Sequence, residues 1–118
     1  MGGLIYGPDG AYEVKYATGA DADDGEYTTA LVAAVTGHKI RVLAITVTVL
    51  TTAGLFSLKN GASGATIFQA HCALGAPLTI APPFPVGVCE TGSGVALVAN
   101  NGTGVDSHVN VSYIEVKP

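Results

Sequence analysis

The stretch TTALVAAVTGHKIRVLAITVTV, from Thr28 to Val49, decides the fold of this chain. Both of its halves are rich in Val, Ile and Thr, which fit the pleated surface of a β-sheet. Between the halves lies the segment Thr36-Gly37-His38-Lys39, where Gly37 supplies the positive φ that tight turns often need. We therefore predict two β-strands joined by a turn at residues 36–39.

The second half of this stretch alternates regularly, as expected for a strand whose side chains point to opposite faces. The two sets of side chains are Leu43, Ile45, Val47 and Val49 on one face, and Val42, Ala44, Thr46 and Thr48 on the other. The first face is apolar, and the second is small and only mildly polar. Since neither face clearly requires water, we predict that the hairpin is covered on both sides.

The rest of the chain continues in short apolar runs separated by turn signals such as Asn60-Gly61. The proline-rich run from Ala81 to Pro85 is unsuited to a central strand, because proline donates no ladder hydrogen bond. The last strand, Val105 to Val116, places Val109, Val111 and Tyr113 inward. About eight short strands without a helical period predict an all-β fold, namely a two-sheet β-sandwich or jelly roll.

Composition narrows the classes of protein. A chain of 118 residues is long enough for one domain with a real core. Charged residues make up 12%, against about 25% in typical soluble domains. The five basic residues are scattered and form no stripe that would neutralise phosphates, so a nucleic-acid partner is not expected. Residues 42–58 are uncharged, but their β-branched alternation indicates a strand rather than a membrane helix.

Residues 1–26 differ from the body of the chain, residues 27–118. They carry six acidic residues against Lys15, a local net charge of −5, and are rich in glycine. We predict an extended acidic N-terminal arm followed by the jelly-roll domain. Within the arm, the alternation of YEVKY places Tyr12, Val14 and Tyr16 on one face. This short strand either packs on the edge of its own domain or reaches out to augment a partner's sheet or groove, and we favour the partner.

No constellation for catalysis or cofactor binding is apparent. His38, His71 and His108 have no acidic residue at a spacing typical of a metal site. The serines lack the context of a nucleophile elbow, and the acidic residues of the body suggest no catalytic pair. Cys72 and Cys89 are interpreted as small buried hydrophobic residues, although adjacent strands would allow them to pair. We predict no enzymatic activity, no cofactor and no metal.

The pattern LVAAVTGHKIRVLAITVTV, GLFSLKNG, VALVANNGTG and HVNVSYIEV resembles small structural proteins of tailed bacteriophages. The class it is most similar to is the capsid decoration, or cement, proteins with a trimeric jelly roll like that of tumour necrosis factor. The resemblance covers about residues 28–116 and is carried best by the segments 37–42 and 111–116. It implies a homotrimer on the outer surface of the phage capsid, bound to the assembled major capsid protein.

The resemblance also implies that an N-terminal segment reaches onto the shell. The arm residues assigned to capsid binding are Tyr6, Tyr12, Val14, Tyr16, Asp21, Asp23 and Asp24. Strands that are apolar on both faces need a second partner surface, so threefold packing is expected to bury Val32, Val42, Ala44, Val98 and Ile114. Two alternatives are a tail-tip or fibre module that binds a host receptor or glycan, and a secreted cellular jelly-roll ligand.

Overall fold

The computed structural model describes residues 3–7, 10–22, 25–84 and 86–117. In these residues the chain forms strands and loops without any helix, which confirms the all-β prediction, and so no helix there is long and apolar enough to cross a membrane. The strands are β1 (Leu4–Gly7), β2 (Gly10–Glu13), β3 (Lys15–Asp21), β4 (Gly25–Glu26), β5 (Lys39–Val49), β6 (Gly54–Asn60), β7 (Thr66–Cys72), β8 (Leu78–Ile80), β9 (Cys89–Glu90), β10 (Leu97–Asn101) and β11 (Ser107–Val116).

Two antiparallel sheets form a β-sandwich. Sheet I has the order β3-β11-β5-β8, with β9 also paired to β5, and sheet II has the order β4-β10-β6-β7. The core between them contains fully buried residues from both sheets: Ile40, Val42, Ile45, Val47, Val49, Phe56, Leu58, Leu97, Ala99 and Val109. β1 and β2 form a separate two-stranded sheet.

The chain crosses between the two sheets at most of its connections. From β3 onward, strands alternate between sheet I and sheet II until β6 and β7, which are adjacent in sheet II. The chain then returns to sheet I for β8 and β9, to sheet II for β10 and to sheet I for β11. The first and last strands of the sandwich, β3 and β11, are paired neighbours in sheet I.

The hairpin predicted over residues 28–49 is wrong in its first half. Residues 33–35 lie in a loop, and Val32 makes an isolated antiparallel bridge to Leu97 instead of pairing with β5. The backbone N–H of Leu31 donates to the carbonyl of Leu97, and that of Leu97 donates to the carbonyl of Val32. The turn itself is confirmed, since Gly37 has a φ of 74°. β-propensity predicted a strand here, but the segment forms one bridge to β10 and otherwise runs as a loop.

The strict alternation predicted for β5 is also wrong, because the strand contains a β-bulge. Ser112 pairs with Ala44 and Tyr113 pairs with Val42, so that Leu43 is the extra residue. The bulge places Val42 on the same face as Ile45, inside the sandwich, and leaves Leu43 on the outer face of sheet I. The inward placement of Val109 and Val111 in β11 is confirmed.

The boundary predicted at residue 26 does not separate an arm from a domain. β3 pairs along its whole length with β11, from Asp21 opposite Ser107 to Lys15 opposite Tyr113. Residues 15–22 and 25–26 thus belong to the sandwich. The described residues before β3 lie outside the two sheets. Gly19 lies within this strand and allows close packing, since a Cβ there would lie 3.1 Å from both Leu31 Cδ1 and Tyr27 Cε2.

Candidate functional site

The N-terminal hairpin, β1 with β2, is the feature of the molecule that lies beyond the two sheets. Its register runs from Leu4 opposite Glu13 to Gly7 opposite Gly10. The backbone N–H of Val14 donates to the carbonyl of Gly3 at 2.6 Å, which extends this ladder to the start of β3. A two-stranded sheet is only marginally stable in water, so the hairpin depends on what it is anchored to and on what it binds.

A small second core anchors the base of the hairpin on the outer face of sheet I. Val14 packs there with Ile114 and Val116, which are all buried, and the half-buried Tyr12, Leu43 and Phe84 surround them. The rings of Tyr12 and Phe84 meet edge to face. Leu43 reaches this cluster because the bulge in β5 turns it outward. The apolar outer residues of β5 and β11 are thus covered by the chain's own N-terminal segment.

An ion pair reinforces the same junction. Lys15 Nζ lies 3.1 Å from Glu115 Oε2, across the β3–β11 pair. The hydrogen bond that Lys15 donates to the Glu115 carboxylate, together with the negative charge of that carboxylate, raises the pKa of Lys15. Both side chains are partly exposed to solvent, so the pair orients the strands more than it stabilises them.

The predicted arm residues have different fates in the structure. In the second core Tyr12 is half-buried and Val14 is buried. Tyr16 is 62% exposed. Tyr6 lies in β1 opposite Ala11. Asp21 lies in β3, where a carboxylate oxygen accepts a hydrogen bond from the backbone N–H of Thr28 at 3.1 Å. Asp23 and Asp24 lie outside the described residues. The local-packing alternative therefore holds for Tyr12 and Val14.

Tyr16 borders a shallow cleft on the outer face of sheet I. The cleft has a volume of about 240 Å³ and is lined by residues of β3, β5 and β11: Tyr16, Ala17, Thr18, Ala44, Ile45, Thr46, Asn110, Val111 and Ser112. Its lining carries no formal charge. A hydrogen bond of 3.0 Å joins Thr46 to Thr79 on the same face. The surface beside Tyr16 is therefore shallow and offers no charged group to a ligand.

The predicted trimer interface is wrong at four of its five residues, because one chain alone already buries Val32, Val42, Val98 and Ile114. Val42 is 0% exposed and Val32 6% exposed, and both belong to the core of the sandwich. Ile114 is fully buried in the second core, and Val98 is buried as well. Ala44 keeps exposed surface, in the cleft beside Tyr16. The bulge in β5 accounts for the error at Val42, the bridge to β10 for that at Val32, and the cover of the N-terminal segment for that at Ile114.

A buried polar network at the opposite end of the sandwich was missed by the sequence analysis. Tyr27 Oη lies 2.6 Å from Ser107 Oγ, which donates a short hydrogen bond to Asn101 Oδ1. Asn101 Nδ2 donates to the carbonyl of Asp21 at 2.9 Å. Burial raises the pKa of the Tyr27 hydroxyl, so the phenol remains neutral and available as a donor. The network links β3, β10 and β11, and its role is structural.

A second cleft, of about 380 Å³, lies next to this network between β3 and the following loop. It is lined by residues 18–22 and 27–31, including the hydroxyl-bearing Thr18, Thr28 and Thr29. Asp21 is the acidic residue of this lining, and its carboxylate already binds the backbone of Thr28. The cleft offers polar groups but no arrangement of a nucleophile with a base.

The cysteines are both free. Cys72 is buried in the core, and burial raises the pKa of the Cys89 thiol to about 12. Such thiols are protonated at neutral pH and therefore poor nucleophiles and poor metal ligands. Across the part of the chain that the structure describes, no three His, Cys, Asp or Glu side chains are grouped so that they would hold a metal ion.

Comparison with known proteins gives little. No protein-family model matches the chain, and no curated protein matches it. Among solved structures, one chain with similarity is described by the words "Bacillus endospore appendages form a novel family of disulfide-linked pili". The two chains share 12% sequence identity, and the structural alignment has a TM-score of 0.43. The alignment covers 98% of the present chain and 97% of the other. A likeness this distant has no bearing on function.

Proposed function

We propose that this chain is a structural virion protein, a capsid decoration protein that binds the assembled major capsid protein of a phage head through its N-terminal hairpin and acts without catalysis. The observation that carries the proposal is the hairpin itself. It lies outside the sandwich, it begins with Leu4 at 62% exposure, and it is anchored at its base by an apolar cluster. A strand edge of this kind is a template for an added strand of a partner.

The choice of a capsid as the partner rests on the resemblance carried by residues 37–42 and 111–116. Those two segments are neighbours in sheet I, where Ile40 pairs with Glu115. Ile114 and Val116 of the second segment belong, with Val14, to the apolar cluster on which the hairpin is seated. The alternation of strands between the two sheets supports the finer proposal that the sandwich is a jelly roll, as this resemblance implies.

Decoration acts by mass action. A protein that binds the assembled shell but not its dissociated subunits stabilises the shell by an amount that rises with the ratio of its free concentration to its Kd. We also propose that the protein does so as a homotrimer. Of the residues first assigned to the threefold contact, Ala44 is the one with exposed surface, so this contact is expected on the outer face of sheet I.

The test is co-sedimentation with expanded, empty phage shells. A deletion up to Glu26 is unsuitable, because it would remove β3 and part of β4 from the sandwich. The informative variants are a deletion of residues 1–7, which removes β1 alone, and Leu4→Asp, which places a charge on the hairpin. The matched control is Leu74→Asp, at a residue that is 53% exposed and lies outside the hairpin.

We expect the native chain and Leu74→Asp to pellet with shells, and both hairpin variants to remain in the supernatant. Equal pelleting of all four proteins would refute the role of the hairpin. Failure of the native chain to pellet would refute the capsid proposal and favour the tail-tip alternative, which a screen of host surface glycans then tests.

A further inference from the structure

In the described part of the chain the two sheets have four edges, formed by β3, by β8 together with β9, by β4 and by β7, and the first three are protected against pairing with another chain. β9 has two residues and carries Glu90. β4 has two residues and carries Glu26, which forms an ion pair with Lys59 at 3.7 Å. β8 has three residues and lies between Pro77 and Pro82, which donate no backbone hydrogen bond. Short length, charge and proline are the usual devices that keep edge strands apart.

β3 is protected in a different way. It has Lys15 at one end and Asp21 at the other, and residues 27–31 run beside it across the larger cleft. The carboxylate of Asp21 closes one end of that cleft through its hydrogen bond to Thr28. These charges and this neighbouring segment disfavour a regular strand addition along β3.

The remaining edge, β7, carries none of these protections. Its seven residues read TIFQAHC and contain no Asp, Glu, Lys, Arg, Pro or Gly. It pairs with β6 on one side, and in the described part of the chain no strand pairs with its other side. An uncharged edge of this length presents backbone donors and acceptors whose natural complement is another strand.

The side chains of β7 separate onto two faces. Phe68 and Ala70 lie opposite Leu58 and Phe56 of β6, on the inner face of sheet II. Gln69 lies opposite Ser57 and is exposed on the outer face. Inner and outer residues therefore alternate from Phe68 onward, after the register irregularity near Ile67.

We propose that β7 pairs with β7 of a second copy, antiparallel, around a two-fold axis that passes next to Gln69. In this register Gln69 faces Gln69 of the other copy on the outer face, where two amides bond to one another with both their donors and their acceptors. Phe68 faces Ala70 of the other copy on the inner face, so a large side chain meets a small one twice. No charges of like sign oppose each other, although each chain has a net charge of −4.

This pairing joins sheet II of the two copies into one continuous sheet and satisfies the free edge of β7 in both. The contact is isologous, since the same segment serves on both sides. It is separate from capsid binding and from a threefold contact: it joins two single copies or two trimers. In either case the particle contains an even number of chains.

The first test measures the particle mass of the full chain by sedimentation velocity. Gln69→Lys places a charge on the exposed face of the edge, while Thr103→Lys places the same charge on an exposed turn as a control. We expect an even-numbered particle for the native chain and for Thr103→Lys, and half that mass for Gln69→Lys. A monomer or a trimer for the native chain, or a mass that Gln69→Lys leaves unchanged, overturns the proposal.

The second test fixes the register by disulfide trapping. Directly opposed residues of antiparallel strands have Cα atoms about 4.5–5.5 Å apart, within the range that a disulfide spans. We expect Gln69→Cys to give a covalent dimer on mild oxidation. His71→Cys should give none, because the two copies of residue 71 would lie four residues apart along the strands, roughly 13 Å.

The trapping result is independent of folding defects caused by charge, since Cys replaces an exposed side chain. A dimer from His71→Cys but not from Gln69→Cys would contradict the proposed register, and a dimer from neither variant would contradict the pairing. Neither test depends on shell binding. A negative result for β7 pairing therefore does not affect the decoration proposal, and a failure to bind shells does not affect the β7 pairing proposal.

Discussion

The rings of Tyr12 and Phe84 meet edge to face, with centroids 6.3 Å apart and planes inclined at 63°. Tyr12 belongs to the hairpin, and Phe84 belongs to the proline-rich loop after β8. Two segments that are remote in sequence thus close over the same apolar cluster on sheet I. Because both sit at the base of the hairpin, the ring contact couples the position of the hairpin to the loop.

This contact is expected to contribute to stability beyond simple burial. Tyr12→Ala and Phe84→Ala should each lower the free energy of unfolding, and a double-mutant cycle should give a coupling of about 0.5–1.5 kcal/mol. Urea unfolding followed by far-ultraviolet circular dichroism measures all four proteins. Tyr16→Ala, at an exposed ring, is the control and should change stability little. A coupling near zero would mean that the rings merely lie near each other.

The placement of Val42 predicts an effect on folding and not on assembly. Its side chain is fully buried in the sandwich core, so Val42→Ala should cost roughly 2 kcal/mol in the free energy of unfolding. The matched control is Thr48→Ala, on the outer face of the same strand, for which a change within about 0.5 kcal/mol is expected. Thermal unfolding and sedimentation of both variants check this. A folded, fully stable Val42→Ala with altered particle mass would restore the interface assignment.

The network of Tyr27, Ser107 and Asn101 should be sensitive to the loss of one hydroxyl. Ser107→Ala removes the hydroxyl that lies 2.6 Å from the Tyr27 phenol and that donates to Asn101 Oδ1 in a buried site, while the phenol keeps its hydrogen bond of 3.2 Å to the carbonyl of Ser107. Each of the two hydrogen bonds that are lost contributes about 0.5–1.5 kcal/mol to stability. Denaturant unfolding of Ser107→Ala should show this loss, whereas Ser93→Ala, in an exposed turn, should not. Stability equal to the native chain would indicate that water replaces the hydroxyl.

Alkaline pH should destabilise the protein through Cys89. Burial raises the pKa of this thiol from 9.0 to about 12. A group with a raised pKa in the folded state favours folding below its ordinary pKa, and this contribution is lost as the pH rises toward the folded value. Between pH 9 and about pH 12 the unfolded chain therefore ionises Cys89 while the folded chain does not.

Unfolding free energies measured across this window should fall less steeply in Cys89→Ala than in the native chain, by up to about 1.4 kcal/mol per pH unit. Ser93→Ala should keep the native slope. Parallel slopes for the native chain and Cys89→Ala would show that the thiol is accessible to water. Lysine and tyrosine titrations affect all three proteins alike, so the comparison of slopes isolates the thiol.

Much of the strand content was predictable because it follows from local chemistry. Gly54–Asn60, Thr66–Cys72 and Leu78–Ile80 lie where β-branched and apolar runs meet turn residues. The turn at Gly37 was predictable because tight turns often need a residue with positive φ, which glycine adopts without steric cost. What the sequence did not reveal were choices between partners. The run around Val32 has the same strand propensity whether it pairs with β5 or with β10, and only the packed sandwich selects β10.

The candidate site was predictable in its residue types but not in its geometry. Alternation correctly grouped Tyr12 with Val14. The bulge at Leu43 leaves no mark in the composition of β5, yet it turns Leu43 outward and places Val42 in the core. The density of glycine and acid before residue 27 was interpreted as an arm, although Gly19 is small in order to admit Tyr27 and Leu31. Long-range packing, which local patterns do not encode, decided each of these points.

The direct continuation of β2 into β3 determines how the molecule responds to mechanical load. A force that pulls the hairpin outward along its own axis passes through Val14 into β3, whose residues from Lys15 to Asp21 are all paired with β11. Because the ladder hydrogen bonds lie perpendicular to the strands, such a force loads them together in shear and does not open them one after another. A hairpin attached in this way resists detachment because the force is distributed over all the hydrogen bonds between β3 and β11.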